Sequence, residues 1–355
     1  MPRFIGFDAH KSYAYVVELR EDKQLNYRVA IPGGLSDFKQ RLDSECQLVI
    51  EASTSTFRLV EELAPYAGKV VVADPAQTRG AISHPAITDR NAAEALARLL
   101  ASDFVRPVWV PPREIRSLRS LVELRNRLVE LRTTATNRLR ALLRQELFPG
   151  RITLTEEVVQ MQLADDPILA IFCNSLFRFR ALVTKECERI DDALRLYSRD
   201  SEDARLLMSI PGVGPLVAAC LVAQIGDITR FDSPQKLCSY AGLVPKVHIS
   251  GQFCRSGRIS RRGRSSLRWA MSIAAMSATK VEPFKRHKEN LCRRKPKGVA
   301  MVACARKLLT IVWRVWKKRQ PYSSLSEQLY ARKLAALDRL KNTTPMPSQE
   351  MLIRA

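Results

Sequence analysis

The chain has 355 residues, enough for two domains with buried cores, and it carries a formal net charge of +22. Because so large a charge repels itself, we expect a polyanionic partner, and nucleic acid is favoured over a membrane surface. The sequence has no run of about 18 apolar residues, no signal-peptide core, no CxxC pair and no zinc-finger spacing, which argues against membrane-spanning, secreted and zinc-finger proteins.

The first 105 residues are predicted to form an α/β domain. Strands are predicted from apolar or alternating runs over residues 3–7, 13–19, 26–31, 48–50 and 70–73. Helices are predicted over residues 35–42, with Ser36 as the N-cap, and from Thr88 and Asp89 to residue 100. This order of elements indicates one sheet covered by helices.

The Pro-rich segment 106–112 predicts a domain boundary, after which two long helices follow. They are predicted over residues 113–147, where leucines recur every three or four positions, and over residues 167–197. Such a pair forms either an antiparallel hairpin or an oligomerising coiled coil. We therefore assign residues 106–200 to a coiled-coil region.

Residues 201–322 are predicted to form a mainly α-helical, strongly basic domain, and residues 323–355 a C-terminal helix and a mobile tail. Between residues 251 and 320, Lys and Arg outnumber Asp and Glu by 20 to 2, a net charge of +18. The aromatic residues interleaved with this charge are Trp269, Phe284, Trp313 and Trp316. The combination favours nucleic-acid binding over a solvated face, although Trp313 and Trp316 also stand at the helical spacing of core residues.

Residues 206–226 read LLMSIPGVGPLVAACLVAQIG, a pattern typical of a helix-hairpin-helix. Gly212 and Gly214 permit the tight turn, and the second helix would present backbone N–H groups to a phosphate. The alternative is a turn that only packs two helices together.

Three acidic residues follow or begin elements of the N-terminal domain. Asp8 lies at the end of the first strand, Glu51 follows a later strand, and Asp89 begins a helix. Carboxylates in this order are how ribonuclease-H-like nucleases hold two Mg²⁺ ions, which prefer oxygen ligands and recruit substrate phosphate. Each carboxylate alone would equally suit a turn or a helix cap.

The segments FIGFDAHK, VIEAS, VADP and TDRNAAEALARLL resemble the RuvC-like domain of the DEDD transposases of the IS110 insertion-sequence family. The resemblance extends over about residues 3–320. It implies an α/β RNase H-like (RuvC-like) N-terminal domain, a middle of long coiled-coil helices and a C-terminal transposase domain. The scattered cysteines, for their part, suit a reducing cytoplasm, and we expect a bacterial, cytoplasmic protein.

The fourth acidic residue of the family pattern is missing. The family pairs Asp89 with a second Asp three residues later, where both carboxylates share one helix face. That position holds Ala92, and Asn91 and Glu94 lie at offsets that point elsewhere. Ala92 is either a change made to trap an intact complex, which the intact surroundings favour, or the mark of a naturally impaired copy. Weak or no catalysis is expected in both cases.

The resemblance also assigns a nucleophile in the segment YAGLVPKVHISGQFCRSGRISRRGRSSLRWAM. Ser250, predicted to lie in a loop, matches the serine that attacks a DNA phosphodiester in this family; by itself a serine before a glycine is ordinary. The residues that we expect to contact nucleic acid besides the two hairpin glycines are Lys246, His248, Arg255, Arg258, Arg261, Arg262, Arg264 and Arg268.

The mechanism that the resemblance implies is metal-assisted attack by serine. Two Mg²⁺ ions held by Asp8, Glu51 and Asp89 would activate Ser250, and a phosphoserine–DNA bond would conserve the energy needed for rejoining. The family further implies a structured guide (bridge) RNA that pairs with target and donor DNA, so that backbone contacts suffice for the protein. A homo-oligomer, a dimer or a tetramer, is expected, with a site that subunits can share.

Two other functions remain open at this stage. One is a metal-dependent RuvC-like junction resolvase that uses water and forms no covalent intermediate. The other is a non-catalytic nucleic-acid-binding relative of a transposase, for which Ala92 is the best support.

Overall fold

The computed structural model describes residues 2–21, 23–81, 88–145, 166–250, 253–261, 263–323 and 326–339, without the side chains of residues 247–250 and 253–256. The chain divides into two compact units, Met1–Pro112 and Arg113–Ala355. The segment predicted as a boundary closes the first unit, since the backbone N–H of Val108 donates to the carbonyl of Val72. The predicted mobile tail, residues 342–355, lies outside the described residues.

The first unit contains a five-stranded sheet. Its strands are β1 (Arg3–Ala9), β2 (Tyr13–Leu19), β3 (Gln24–Ala30), β4 (Cys46–Glu51) and β5 (Lys69–Ala73), and their spatial order is β3-β2-β1-β4-β5. β1, β2 and β3 pair antiparallel, whereas β4 pairs parallel with β1 and with β5. This mixed sheet fits an RNase H-like domain, and all five strands were predicted.

Helices cover both faces of this sheet. They are α1 (Leu35–Gln40), α2 (Thr56–Leu63), α3 (Pro75–Ala81) and α4 (Asp89–Ala101). Ile5 and Phe7 pack on one face with Phe38 of α1 and Leu59 of α2. Because side chains alternate along a strand, Gly6 and Asp8 lie on the opposite face, which α4 covers.

The contact between α4 and β1 is unusually close at Gly6. A Cβ atom at Gly6 would lie 1.9 Å from the carbonyl oxygen of Ala93 and 2.8 Å from the backbone nitrogen of Ala97. Only a residue without a side chain therefore lets α4 lie directly on the strand. Ala93 and Ala97, both fully buried, are the matching small residues of the helix.

The two helix starts were predicted with different success. Thr88 is the N-cap of α4, and its side chain accepts a hydrogen bond from the backbone N–H of Asn91, as expected. The prediction of Ser36 as the cap of the first helix is wrong, because the N-cap is Gly34 and Ser36 lies inside α1. Gly34 cannot take a side chain there without meeting the backbone of Ala30 at 2.9 Å.

The second unit begins with two long helices, α5 (Arg113–Gln145) and α6 (Pro167–Asp200). Leu139 and Leu143 near the end of α5 pack against Cys173 near the start of α6, whereas Arg125 pairs with Asp191 much later in α6. The helices therefore run antiparallel, as one of the two predicted arrangements required. Among the described residues α6 is also the one helix that length and composition would allow to cross a membrane, a criterion that core helices meet as well.

The rest of the second unit is built around one buried helix. The remaining elements are α7 (Glu202–Met208), α8 (Pro215–Ile225), α9 (Pro234–Tyr240), β6 (Pro245–Ser250), β7 (Phe253–Ile259), α10 (Ser265–Ala278), α11 (Phe284–Cys292), α12 (Lys297–Lys318) and α13 (Glu327–Asp338). Every residue of α8 from Val217 to Ile225 is buried. This unit is mainly α-helical, as predicted. The two-stranded hairpin formed by β6 and β7 was not predicted.

Gly6 yields a direct test of the α4 contact. We expect Gly6→Ala to lower the free energy of unfolding by about 1–3 kcal/mol or more, because the added methyl group meets helix backbone that cannot move aside. Urea unfolding followed by circular dichroism measures this loss. Gly80→Ala is the matched control, since a Cβ there meets nothing within 4 Å. Equal stability of the two variants would contradict the close contact.

Candidate active site

Asp8 and Glu51 lie side by side at one edge of the sheet. Phe7 pairs with Ile50 in the parallel register of β1 and β4, so the residues that follow each of them are neighbours. Val49 packs with Leu96 of α4, and Glu51, two residues on, faces the same way. Both predicted acidic residues therefore lie on the sheet face that α4 covers.

Asp89 enters the same region from the first turn of α4. Its Oδ2 accepts a hydrogen bond of 2.6 Å from the hydroxyl of Tyr13, a residue of β2. The guanidinium of Arg28 lies 5.1 Å from the centre of the Tyr13 ring. A carboxylate at a helix N-terminus is favoured by the helix dipole, so both the helix and Tyr13 hold Asp89 in its charged form.

His10 is the residue at this site that was not predicted. Its Nε2 lies 3.4 Å from Oδ2 of Asp8 and 3.3 Å from Oδ1 of Asp89. Single ligand atoms of these three residues all lie within 4.8 Å of one another, close enough for one metal ion. The signal in the sequence was an Asp-x-His at the end of a strand, where a tight turn folds the histidine back over the aspartate.

The electrostatics of the site favour a bound cation. Burial raises the pKa of the Asp8 carboxyl, and the negative charge of Asp89 adds to this effect. Burial also raises the pKa of Glu51, and here the charge of Asp8 contributes. The hydrogen bond from Tyr13 lowers the pKa of Asp89. Carboxylates that are costly to ionise side by side are stabilised when a divalent cation neutralises them.

Glu51 is not part of the three-residue group that could share one ion, although it is adjacent to Asp8 on the sheet. Its strand end is fixed, because the side chain of Thr56 donates a hydrogen bond of 2.7 Å to the Glu51 carbonyl. Glu51 thus lies one strand away from the group.

Ala92 offers no ligand atom at the fourth position. It lies on α4 three residues after Asp89, is 8% exposed, and its backbone N–H donates to the Thr88 carbonyl. Glu94 cannot substitute for the missing acid because its carboxylate is held by Arg98 and Gln24. Glu94 therefore does not supply a carboxylate in place of the acidic residue that was expected at position 92.

Ser250 is the last residue of β6 and pairs with Phe253 of β7. The predicted loop position is wrong for its backbone, which is part of a strand; Gly251 lies outside the described residues. The hairpin begins next to α9, where the backbone N–H of Ser260 donates to the carbonyl of Val244.

The basic residues expected to contact nucleic acid fall into three groups. Lys246, Arg258 and Arg261 are exposed. Two others are held within the protein: Arg264 donates to the hydroxyl of Tyr240, and Arg268 donates to the carbonyl of Ala241. The described part of the structure does not include the remaining predicted contacts, which are the side chains of His248 and Arg255 and the whole of Arg262.

Of the aromatic residues, Phe284 and Trp316 are buried, which agrees with a core position for Trp316. The indole of Trp313 donates to the carbonyl of Phe231, which fixes this side chain as well. Trp269 is 37% exposed, so it alone among these four side chains presents a substantial ring surface to solvent.

The segment with the predicted helix-hairpin-helix forms two helices, α7 and α8, joined by a turn. Gly212 has φ +80° there, and a Cβ at this position would lie 2.1 Å from the carbonyl oxygen of Ala274 in α10. Gly212 therefore serves packing between helices. Gly214, the N-cap of α8, meets nothing within 4 Å and leaves that helix start open.

Two family models match the chain. Residues 5–149 match a transposase family, the DEDD transposases of IS110, and residues 204–289 match the transposase IS116/IS110/IS902 family. The first match contains Asp8, Glu51 and Asp89, and the second contains Ser250.

Relatives of the chain include two transposases. The chain is 28% identical to a probable family 20 transposase of Pseudomonas aeruginosa, over 66% of this chain and 73% of the relative. It is also 28% identical to the transposase for insertion sequence element IS1111A of Coxiella burnetii, over 66% and 68% of the two chains. A pilin gene-inverting protein of Moraxella bovis is 34% identical over 34% of this chain and 38% of its own. The chain belongs to the IS110 family of DNA transposases.

Proposed function

We propose that this chain is an RNA-guided recombinase of an insertion sequence, which cuts and rejoins DNA through a covalent bond between Ser250 and a DNA phosphate. The observation that carries the proposal is the convergence of Asp8 and Asp89 beside Glu51 at one edge of the sheet, in a chain that belongs to the DEDD transposases. The bacterial cytoplasm, where chromosomal DNA is accessible, is the proposed location.

The residues of the site fit a divalent cation. Asp8 and Asp89 would supply oxygen ligands to one ion, and Glu51 would supply an oxygen for a second. When bound, Mg²⁺ would neutralise charge on the scissile phosphate and lower the pKa of the attacking hydroxyl. Tyr13 keeps the Asp89 carboxylate oriented and ionised through its hydrogen bond.

The proposed reaction is a transesterification. The Ser250 hydroxyl loses its proton and its oxygen attacks the phosphorus of a DNA phosphodiester. The bond to one sugar oxygen breaks, and that oxygen leaves with a proton. The phosphoserine bond is then attacked by the hydroxyl of a new strand, which restores a phosphodiester and frees the serine.

Ala92→Asp tests whether the missing carboxylate limits this chain. We expect the variant to bind Mg²⁺ about tenfold more tightly or better, and to gain strand exchange, because Asp89 and a carboxylate one helical turn later share an ion. Calorimetric titration and a DNA exchange assay measure the two effects. Ala101→Asp at the end of α4 is the control. A tighter site without exchange would favour a non-catalytic nucleic-acid-binding relative.

Ser250→Ala tests the covalent intermediate, in the Ala92→Asp background. We expect the protein–DNA adduct, measured by denaturing electrophoresis, to fall by about 10³-fold or more, because no other group supplies the nucleophile. Ser265→Ala, which changes an exposed serine at the start of α10, should leave the adduct unchanged. Strand cleavage that survives Ser250→Ala without an adduct would favour the metal-dependent junction resolvase.

Composition supports a nucleic-acid partner without distinguishing RNA from DNA, and we propose that a guide RNA is among the partners. The net charge of +22 and the exposed cations Lys246, Arg258 and Arg261 suit contacts to a nucleic-acid backbone. We expect the chain, expressed with the non-coding DNA that flanks its gene, to co-purify with one discrete structured RNA whose loops match target and donor DNA. Sequencing of the bound RNA checks this, and only random cellular RNA would contradict it.

Self-association is supported by the apolar surface of α6. Ile168, Ile171 and Leu182 are 80%, 68% and 60% exposed, and apolar surface of this kind is typical of an interaction site. We propose a dimer or tetramer whose subunits cooperate in one reaction. A mixture of an Asp8→Asn chain and a Ser250→Ala chain, both with Ala92→Asp, should then regain exchange that neither chain shows alone. No recovery in mixed oligomers would contradict the sharing.

A further inference from the structure

We infer that the imidazole of His10 is a direct metal ligand at the candidate active site, and that this nitrogen makes the site of the present chain prefer Mn²⁺ over Mg²⁺. The inference rests on the proposed metal site. It adds a nitrogen ligand to the carboxylates of that site, in the unaltered chain with Ala92 at the fourth position.

The first support is distance. Two ligand atoms at adjacent positions around an octahedral ion, each about 2.1 Å from it, are about 3 Å apart. Nε2 of His10 is 3.4 Å from an oxygen of Asp8 and 3.3 Å from an oxygen of Asp89. Small side-chain movements would therefore bring all three atoms to one ion.

The second support is an unsatisfied atom. Nε2 of His10 is shielded from solvent, although the side chain as a whole is 38% exposed, and it makes no well-aligned hydrogen bond with either of the two carboxylates beside it. A charged imidazolium held as an ion pair would aim an N–H at one of these oxygens. A nitrogen that faces both oxygens without such alignment is placed as a metal ligand would be. A metal ion would also give this shielded polar atom the partner that such atoms normally have.

The third support is the way the ring is held. The backbone N–H of His10 donates a hydrogen bond of 2.8 Å to the carbonyl of Tyr13, which closes the turn between β1 and β2. The rings of His10 and Tyr13 lie 4.9 Å apart, centre to centre. Since the Tyr13 hydroxyl also binds Asp89, one tyrosine orients both the imidazole and a carboxylate. The imidazole is thus positioned before any ion binds.

The choice of ion follows from ligand chemistry. Mg²⁺ strongly prefers oxygen ligands, whereas first-row transition ions accept imidazole nitrogen readily. A complete set of carboxylates would suit Mg²⁺, but Ala92 removes one of them. His10 supplies the third donor of the group, and the resulting two oxygens and one nitrogen favour Mn²⁺.

The test uses the tag-free full-length chain and Mn²⁺ alone. Electron paramagnetic resonance of free Mn²⁺ gives the affinity, competition with Mg²⁺ gives the preference, and pulsed measurements of the bound ion detect a directly coordinated nitrogen. We expect a nitrogen signal in the unaltered chain, and in His10→Asn its loss together with a weakening of Mn²⁺ binding by about tenfold or more. Mg²⁺ binding should change by less than Mn²⁺ binding does.

His287→Asn is the matched control, because it removes a partly buried histidine of the second unit. Circular dichroism and thermal unfolding establish that both variants keep their fold. If His10→Asn does not fold, His10→Gln is the second replacement. The inference would be overturned if bound Mn²⁺ gave no nitrogen signal, or if the signal persisted in the His10 variants. Either result would leave the proposed metal site itself intact. No Mn²⁺ or Mg²⁺ binding at all would overturn the proposed metal-dependent function as well.

Discussion

The contact of α4 with β1 is the constraint on which the candidate active site depends. Asp8 is fixed by its strand, but Asp89 belongs to a helix, and a helix normally lies about 10 Å from a sheet. Gly6 and the alanines of α4 shorten this distance, since no side chain separates Gly6 from the backbone of Ala93. Small residues two positions before Asp8 and four positions after Asp89 therefore decide whether the two carboxylates meet.

Tyr13 and His10 show that the turn between β1 and β2 is part of the site and more than a connection. The turn is closed by a backbone hydrogen bond between these residues, and both side chains extend towards Asp89. Arg28 on β3 lies over the Tyr13 ring, so a third strand also contributes a side chain to the surroundings of Tyr13. The antiparallel half of the sheet thus orients a carboxylate that α4 supplies, beside those at the ends of β1 and β4.

The sequence allowed the sheet and the three carboxylates to be predicted, because β-branched runs and a Thr-Asp helix start are local signals. His10 was missed because its contacts with Asp8 and Asp89 depend on where the turn after β1 places the side chain, which no local sequence pattern reports. Ser36 is not the cap of α1 because the helix begins earlier, with Gly34 as the N-cap, at a position where a side chain would meet the backbone of Ala30. The strand at Ser250 was missed because glycines and arginines around it are typical of loops.

Part of the positive charge of the second unit is used inside the protein. The ammonium of Lys333 on α13 donates to the carbonyls of Met208, Ile210 and Val213, at the end of α7 and in the turn that follows. Arg119, which is buried, donates to the carbonyls of Ala223 and Gln224 at the end of α8. Helix C-termini carry carbonyls without helical partners and a negative partial charge, which cations stabilise.

Cations that are hydrogen-bonded inside the protein contribute less to the charge available for nucleic-acid binding. The total of +22 overstates the charge that a nucleic acid meets, because Lys333 and Arg119 neutralise carbonyl dipoles rather than phosphates. Arg264 and Arg268 similarly fix the residues beside the hairpin whose first strand ends at Ser250. Replacing them would alter the hairpin itself before any phosphate contact, whereas Lys246 and Arg258 are exposed on it and report on nucleic-acid binding more directly.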